Sequence, residues 1–130
     1  MTVVRADDLR FAELEGRRSA DPLAGIDTAT SVRVVRLRRT VGRRAHVHPH
    51  SEEVVHVVTG TGHVWIDGRR EAVGPGDVVH VPAGAAHATI PDAGSDMALV
   101  CFFPHPDLSA NLTVTTHVVD PAPDPPEPIT

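Results

Sequence analysis

"HVHPHSEEVVHVVTGTGHVWIDGRREAVGPGDVVHVPAGAAHATIP", residues 46–91, decides the fold. Its apolar runs are short, rich in valine, and separated by turn residues rather than by helical spacing. Gly60-Thr61-Gly62 divides "EVVHVV" from "HVWI", and Asp67-Gly68 is a hairpin signal between "HVWI" and "RREAV". Gly74-Pro75-Gly76-Asp77 makes another turn before "DVVHV" and "HATI". Outside this stretch the rhythm continues in "SVRVVRLRRTV" (31–41), "DMALVCFF" (96–103) and "LTVTTHVV" (112–119). About eight closely spaced strands with no long helical pattern predict an all-β sandwich or barrel of jelly-roll type.

The flanks read differently. Residues 1–30 form an N-terminal extension in which "ADDLRFAELE" offers one short helical or irregular segment and "SADPLAGID" has turn chemistry. The barrel is expected over 31–119. Residues 120–130 hold five prolines and three acids, a composition that cannot serve a sheet ladder, so a disordered Pro-rich tail is expected.

The 130-residue length fits one domain that needs no staple. Cys101 is the sole cysteine, so no disulfide forms within the chain, and the expected compartment is the reducing cytoplasm. The charged N-terminus has no signal-type apolar region, and no apolar run is long enough for a membrane helix. Net charge is −5, yet residues 1–45 balance at +4 and residues 46–130 at −9. The arginines of "VRVVRLRR" alternate without aromatic interleaving, so they read as a strand's solvated face and not as a nucleic-acid surface. The absence of lysine excludes Schiff-base and P-loop chemistry, and the absence of tyrosine excludes a phenolic acid.

Seven of the nine histidines lie in 46–91. His46 and His48 are two apart, so on a strand they project from one face as a pair of imidazole ligands must. Pro49 cannot donate to a ladder and takes His50 out of that register. A glutamate on the next strand would complete a set of two histidines and one carboxylate, a ligand set for a borderline divalent metal with open positions. Glu53 shares its face with Val55 and Val57, an apolar lining; Glu52 shares its face with Val54, His56 and Val58. Past the turn at Pro82 and Gly84, His87 begins another strand that a barrel would return to the same interior.

These residues resemble the cupin superfamily, in particular its small single-domain bacterial members. The family's first motif is a glycine, a pair of histidines one residue apart, three or four residues, a glutamate, six residues and a glycine. His46, His48, Glu53 and Gly60 match it. Gly76, Pro82, Gly84 and His87 match the second motif at every spacing. Two positions depart: the opening glycine, Gly42, lies too close to His46, and Pro91 replaces a closing asparagine. Neither is a metal ligand in the family. The count back from Gly60 agrees with strand parity in selecting Glu53 over Glu52.

The resemblance implies a double-stranded β-helix that binds one divalent transition metal (Fe, Zn, Mn or Ni) through His46, His48, Glu53 and His87. It implies an enzyme acting on a small oxygenated substrate that chelates the metal, with Glu53 as ligand or base. Dioxygenase chemistry comes first; a polyketide cyclase-like or isomerase reaction, or non-catalytic small-molecule binding, is the alternative. A homodimer is expected, with segments such as "SVRVVRL" or "LTVTTHVV" pairing or packing across the partner, and no nucleic-acid or membrane partner. His50 is expected at the rim and His56 outside the barrel. Cys101 and Trp65 are expected in packing roles.

Overall fold

The computed structural model describes residues 1–122; the expected disorder of the Pro-rich tail concerns residues almost wholly outside that range. Among the described residues eleven strands form two sheets: β1 (Phe11–Leu14), β2 (Arg17–Ala20), β3 (Ser31–Leu37), β4 (Arg43–Val47), β5 (Glu53–Thr59), β6 (Gly62–Ile66), β7 (Arg69–Val73), β8 (Val78–Val81), β9 (His87–Pro91), β10 (Met97–Phe103) and β11 (Thr113–Val119). One sheet runs β1-β2-β3-β10-β5-β8 and the other β11-β4-β9-β6-β7. Every pairing is antiparallel, and sequence neighbours lie in opposite sheets at several connections, the crossed order of a jelly roll.

Alternation in the sequence becomes the inner and outer faces of the sheets. Along β10, Met97, Leu99, Cys101 and Phe103 are buried and the residues between them are not. They meet Leu37, Val55 and Val57 in the main core between the sheets. Full burial of side chains such as Val57 and Phe103 contributes about 1.5–3 kcal/mol each. A smaller cluster of Ala45, Ala88, Ile90 and Val119, against which Trp65 packs, covers the other face of the second sheet.

Two turns have a backbone reason. Asp67 and Gly68 both take positive φ (45° and 90°), the twist that a two-residue hairpin between β6 and β7 needs. Gly60 sits at φ +83° with the Asp96 carbonyl and Met97 Cα where a Cβ would stand. The glycine that closes the first motif is thus required by both conformation and close packing.

Three expectations need correction. "ADDLRFAELE", expected as a short helical or irregular segment, ends in a strand: a single 3-10 turn at Ala6–Asp8 precedes β1, and β1 and β2 form a hairpin that extends the first sheet. The extension therefore helps build the wall around the cavity. The reason is register: Arg17 pairs with Leu37 and Ser19 with Val35, continuing the β3 face that looks inward. Second, the arginines of β3 do not share a solvated face. Arg36 is exposed over the Phe11 ring, whereas Arg33 turns into the cavity and pairs with Asp21 at 3.1 Å. Third, "SVRVVRL" cannot pair across a dimer, because β3 is flanked by β2 and β10.

Candidate metal centre

His46 and His87 are opposed residues on neighbouring strands, β4 and β9, with ring centroids 4.2 Å apart. His48 lies one residue beyond the end of β4, before Pro49, and its ring is 5.0 Å from both His46 and His87. Glu53 opens β5, in the facing sheet, and turns inward with Val55 and Val57. Its Oε1 is 2.9 Å from His87 Nε2 and 3.6 Å from His48 Nε2. One ligand atom from each of the four residues lies within 4.8 Å of the others, a cluster able to hold a metal ion. His48, Glu53 and His87 are buried and His46 is half-buried.

Backbone carbonyls set which ring nitrogens face inward. His48 Nδ1–H donates to the Asn111 carbonyl at 2.8 Å, and His87 Nδ1–H donates to the Ala85 carbonyl at 2.9 Å. Both therefore present an Nε2 lone pair to the cluster, the orientation that ligating histidines commonly receive from a second hydrogen bond. His48 Nε2 is buried with no hydrogen-bond partner. His87 Nε2 and Glu53 Oε1 lie 2.9 Å apart, a contact that either a proton on the imidazole or a bound cation would satisfy. The orphaned acceptor at His48 fits a bound divalent ion.

The electrostatics agree. His46 has its pKa lowered to about 2, chiefly by burial, then by neighbouring His87 and His48, then by Arg17 and Arg43. Burial also lowers that of His48, opposed by Glu53 and by the bond to Asn111. Neutral imidazole is the form that binds metal. Burial pushes the Cys101 thiol well up, helped by its hydrogen bond to the negative Glu53, so it stays a thiol in the cavity wall.

The loops are pinned to this geometry. Gly84 N–H donates to the His48 carbonyl, and the turn residue Asp67 accepts from Ala86 N–H through Oδ1 and donates its own N–H to the Ala86 carbonyl. These bonds lock the segment that delivers His87. Asn111, fully buried, locks the other: Oδ1 accepts from His50 N–H at 2.7 Å, and Nδ2 donates to Ser51 Oγ at 2.8 Å. Phe103 closes on the His48 ring edge-on at 4.6 Å.

Several histidines lie elsewhere. His50 stacks on His105 at 5.9 Å, outside the cluster. His56 is exposed on the outer face of β5, and Glu52 is exposed near His80, 3.9 Å away. His63 meets Asp92, and His117 stacks on Trp65 at 4.9 Å, away from the cavity. Sequence reasoning missed Asn111, Arg17 and Arg43. No motif signal marks them; strand pairing brings Arg17 and Arg43 to the site, and the 3-10 turn Ser109–Asn111 brings Asn111.

The sequence profile described as the cupin domain matches residues 37–103, just over half of the chain. The chain belongs to the cupin family. No curated protein matches this cupin in sequence. Among solved structures it is similar to the polyketide cyclase RemF of Streptomyces resistomycificus, with TM-score 0.69, 19% identity, and coverage of 79% of this chain and 78% of that one. It is similar to a Streptomyces nucleoside dehydratase, with TM-score 0.73, 15% identity and coverage of 88% and 91%. It also resembles the oxalate decarboxylase of Lactobacillus farciminis (TM-score 0.68, 23% identity), covering 78% of the cupin chain and 32% of that larger one. At these identities the likeness is one of fold.

Proposed function

We propose that this cupin is an enzyme that binds one divalent transition metal through His46, His48, Glu53 and His87 and acts on a small oxygenated molecule that chelates it. The observation that carries this reading is the buried, partnerless His48 Nε2 aimed into a cluster that holds Glu53. A bound ion supplies Lewis acidity, polarising the substrate's oxygens and lowering their pKa. Glu53 then serves as ligand or, through its carboxylate, as acceptor for a substrate proton. The mostly apolar wall formed by residues such as Val55, Leu99 and Phe103 excludes water and strengthens these interactions.

The sequence reading puts dioxygenase chemistry first. We now place ring closure, isomerisation or elimination ahead of it, for two reasons. Were all four residues ligands, a chelating substrate would take the remaining positions and leave none for dioxygen. The structural neighbours named above are a cyclase, a dehydratase and a decarboxylase. Metal analysis of protein purified without chelator, coupled to oxygen uptake on diketones and catechols, tests both readings. The expected result is one divalent ion per chain and no substrate-dependent uptake. Iron with uptake restores the dioxygenase; a protein that takes up no metal refutes both.

We infer further that the molecule is a cytoplasmic homodimer. Support for the dimer comes from β11, an edge strand whose Val114 and Val118 are exposed. Light scattering on the purified protein tests it, a monomer mass being the contrary result. The described residues contain no helix long and apolar enough to cross a membrane.

A further inference from the structure

Two arginines of the cavity have no use in the metal cluster. Arg17 opens β2 and Arg43 opens β4, and both line the cavity that contains His46, His48, Glu53 and His87. Arg33, in the same wall, is neutralised by Asp21. Arg17 and Arg43 make no ion pair among the described residues. Arg43 donates once from its terminal nitrogen, to the Gly16 carbonyl at 3.2 Å, while its Nε–H is buried without an acceptor. A buried donor left unpaired is costly, and a guanidinium cannot escape by losing its proton.

Their position gives the pair a purpose. Arg17, Arg43, His46 and Leu112 also line an outer cleft, which adds Arg44 and a single acid, Glu15. The two spaces share this wall, which sets both guanidiniums beside His46 of the cluster. The inner cavity is small, about 90 Å³, and beyond these cations and the cluster it is largely apolar.

We propose that Arg17 and Arg43 form an anion subsite beside the metal cluster, and that the substrate is a small carboxylic acid whose far end chelates the metal. A carboxylate offers two acceptor oxygens to the planar fork of an arginine, satisfies the buried Arg43 Nε–H and compensates two adjacent positive charges. The apolar walls between suit a short carbon skeleton. This inference rests on the metal-chelation reading for its second anchor.

The test uses two probes that differ in charge and by one methyl group, 4,6-dioxoheptanoate and its methyl ester, so the arginine variants separate the effect of charge from that of size. Each carries the same β-diketone for chelation. Both are titrated calorimetrically into the Co²⁺-loaded and the metal-free protein. The acid should bind at least about tenfold more tightly than the ester to wild-type protein, the strength expected of a charge-assisted pair. Arg17→Met and Arg43→Met should each erase that preference while leaving Co²⁺ stoichiometry and ester affinity unchanged. Arg43→Met loses the contact to Gly16 and is to be checked by thermal unfolding. Arg17→Met, which breaks no hydrogen bond among the described residues, carries the test if Arg43→Met is unstable. Equal affinity for acid and ester in the wild type overturns the subsite while leaving the metal reading intact. If Co²⁺ does not bind, the metal reading fails and the metal-free titration decides: a retained preference for the acid, lost in Arg17→Met, upholds the subsite, and no preference overturns it.

Discussion

Replacing Asn111 by alanine separates the residue's role in the fold from its role at the metal cluster. The side chain is fully buried and makes two hydrogen bonds, to His50 N–H at 2.7 Å and Ser51 Oγ at 2.8 Å. Alanine removes both and leaves a void in the loop that joins His48 to Glu53. Each lost bond costs about 1 kcal/mol, and the stranded His50 N–H adds a further amount of roughly the same size, for a total of about 3 kcal/mol. In a chain of this length that lowers Tm by about 10 °C. The carbonyl that accepts from His48 Nδ1–H is backbone and survives, but it is no longer held against the loop. Metal affinity should fall about tenfold to a hundredfold, as when a partner that orients a ligating histidine is lost. The assays are urea unfolding of the metal-free protein and competition titration with a Zn²⁺ indicator. Ala110→Ser, in the same turn but exposed and without a side-chain hydrogen bond to lose, is the control and should change stability by less than about 0.5 kcal/mol. A destabilised Asn111→Ala that binds Zn²⁺ as tightly as the wild type would refute the claim that Asn111 orients His48.

Three further outcomes are expected. Glu53→Gln should weaken metal binding at least about tenfold, whereas Glu52→Gln, exposed beside His80, should leave it unchanged; equal effects in a competition titration would overturn the choice of Glu53. The metal-free protein should lose stability as pH falls below about 6.5, because the unfolded chain takes up protons there that buried His46 and His48 refuse in the folded state. The slope should be at most about 1.4 kcal/mol per pH unit for each histidine, read from urea midpoints between pH 7 and pH 5, and a flat profile would contradict the burial argument. Gly60→Ala should destabilise by about 3 kcal/mol or more, since it combines a positive φ with a collision against the Asp96 carbonyl; a Tm within a degree or two of wild type would show that the turn is not constrained as described.

The metal cluster was legible because it is local in three of its four members. Two-residue spacing puts His46 and His48 on one side, Pro49 takes His50 away, and the apolar parity of Val55 and Val57 carries Glu53 inward. His87 needed the second motif, whose glycine turn delivers it opposite His46. The N-terminal hairpin was misread because "RFAELEGRRSA" has too few apolar residues to announce strands. Its inward side chains, Arg17 and Ser19, are polar and line the cavity, so the usual apolar alternation is missing.

By itself the sequence pointed to an all-β jelly roll, its turn positions and the shared face of His46 and His48, which follow from short-range periodicity and glycine stereochemistry; its resemblance to the cupin motifs implied Glu53 and His87 as their companions. Tertiary structure alone decided that Asn111, sixty-three residues from His48, holds its ring, and that Arg17 and Arg43 face the cavity. A period of two says that a strand has two faces and never which one is inside. Register between strands chooses the face, and a slip of one residue would have turned Arg17 out to solvent.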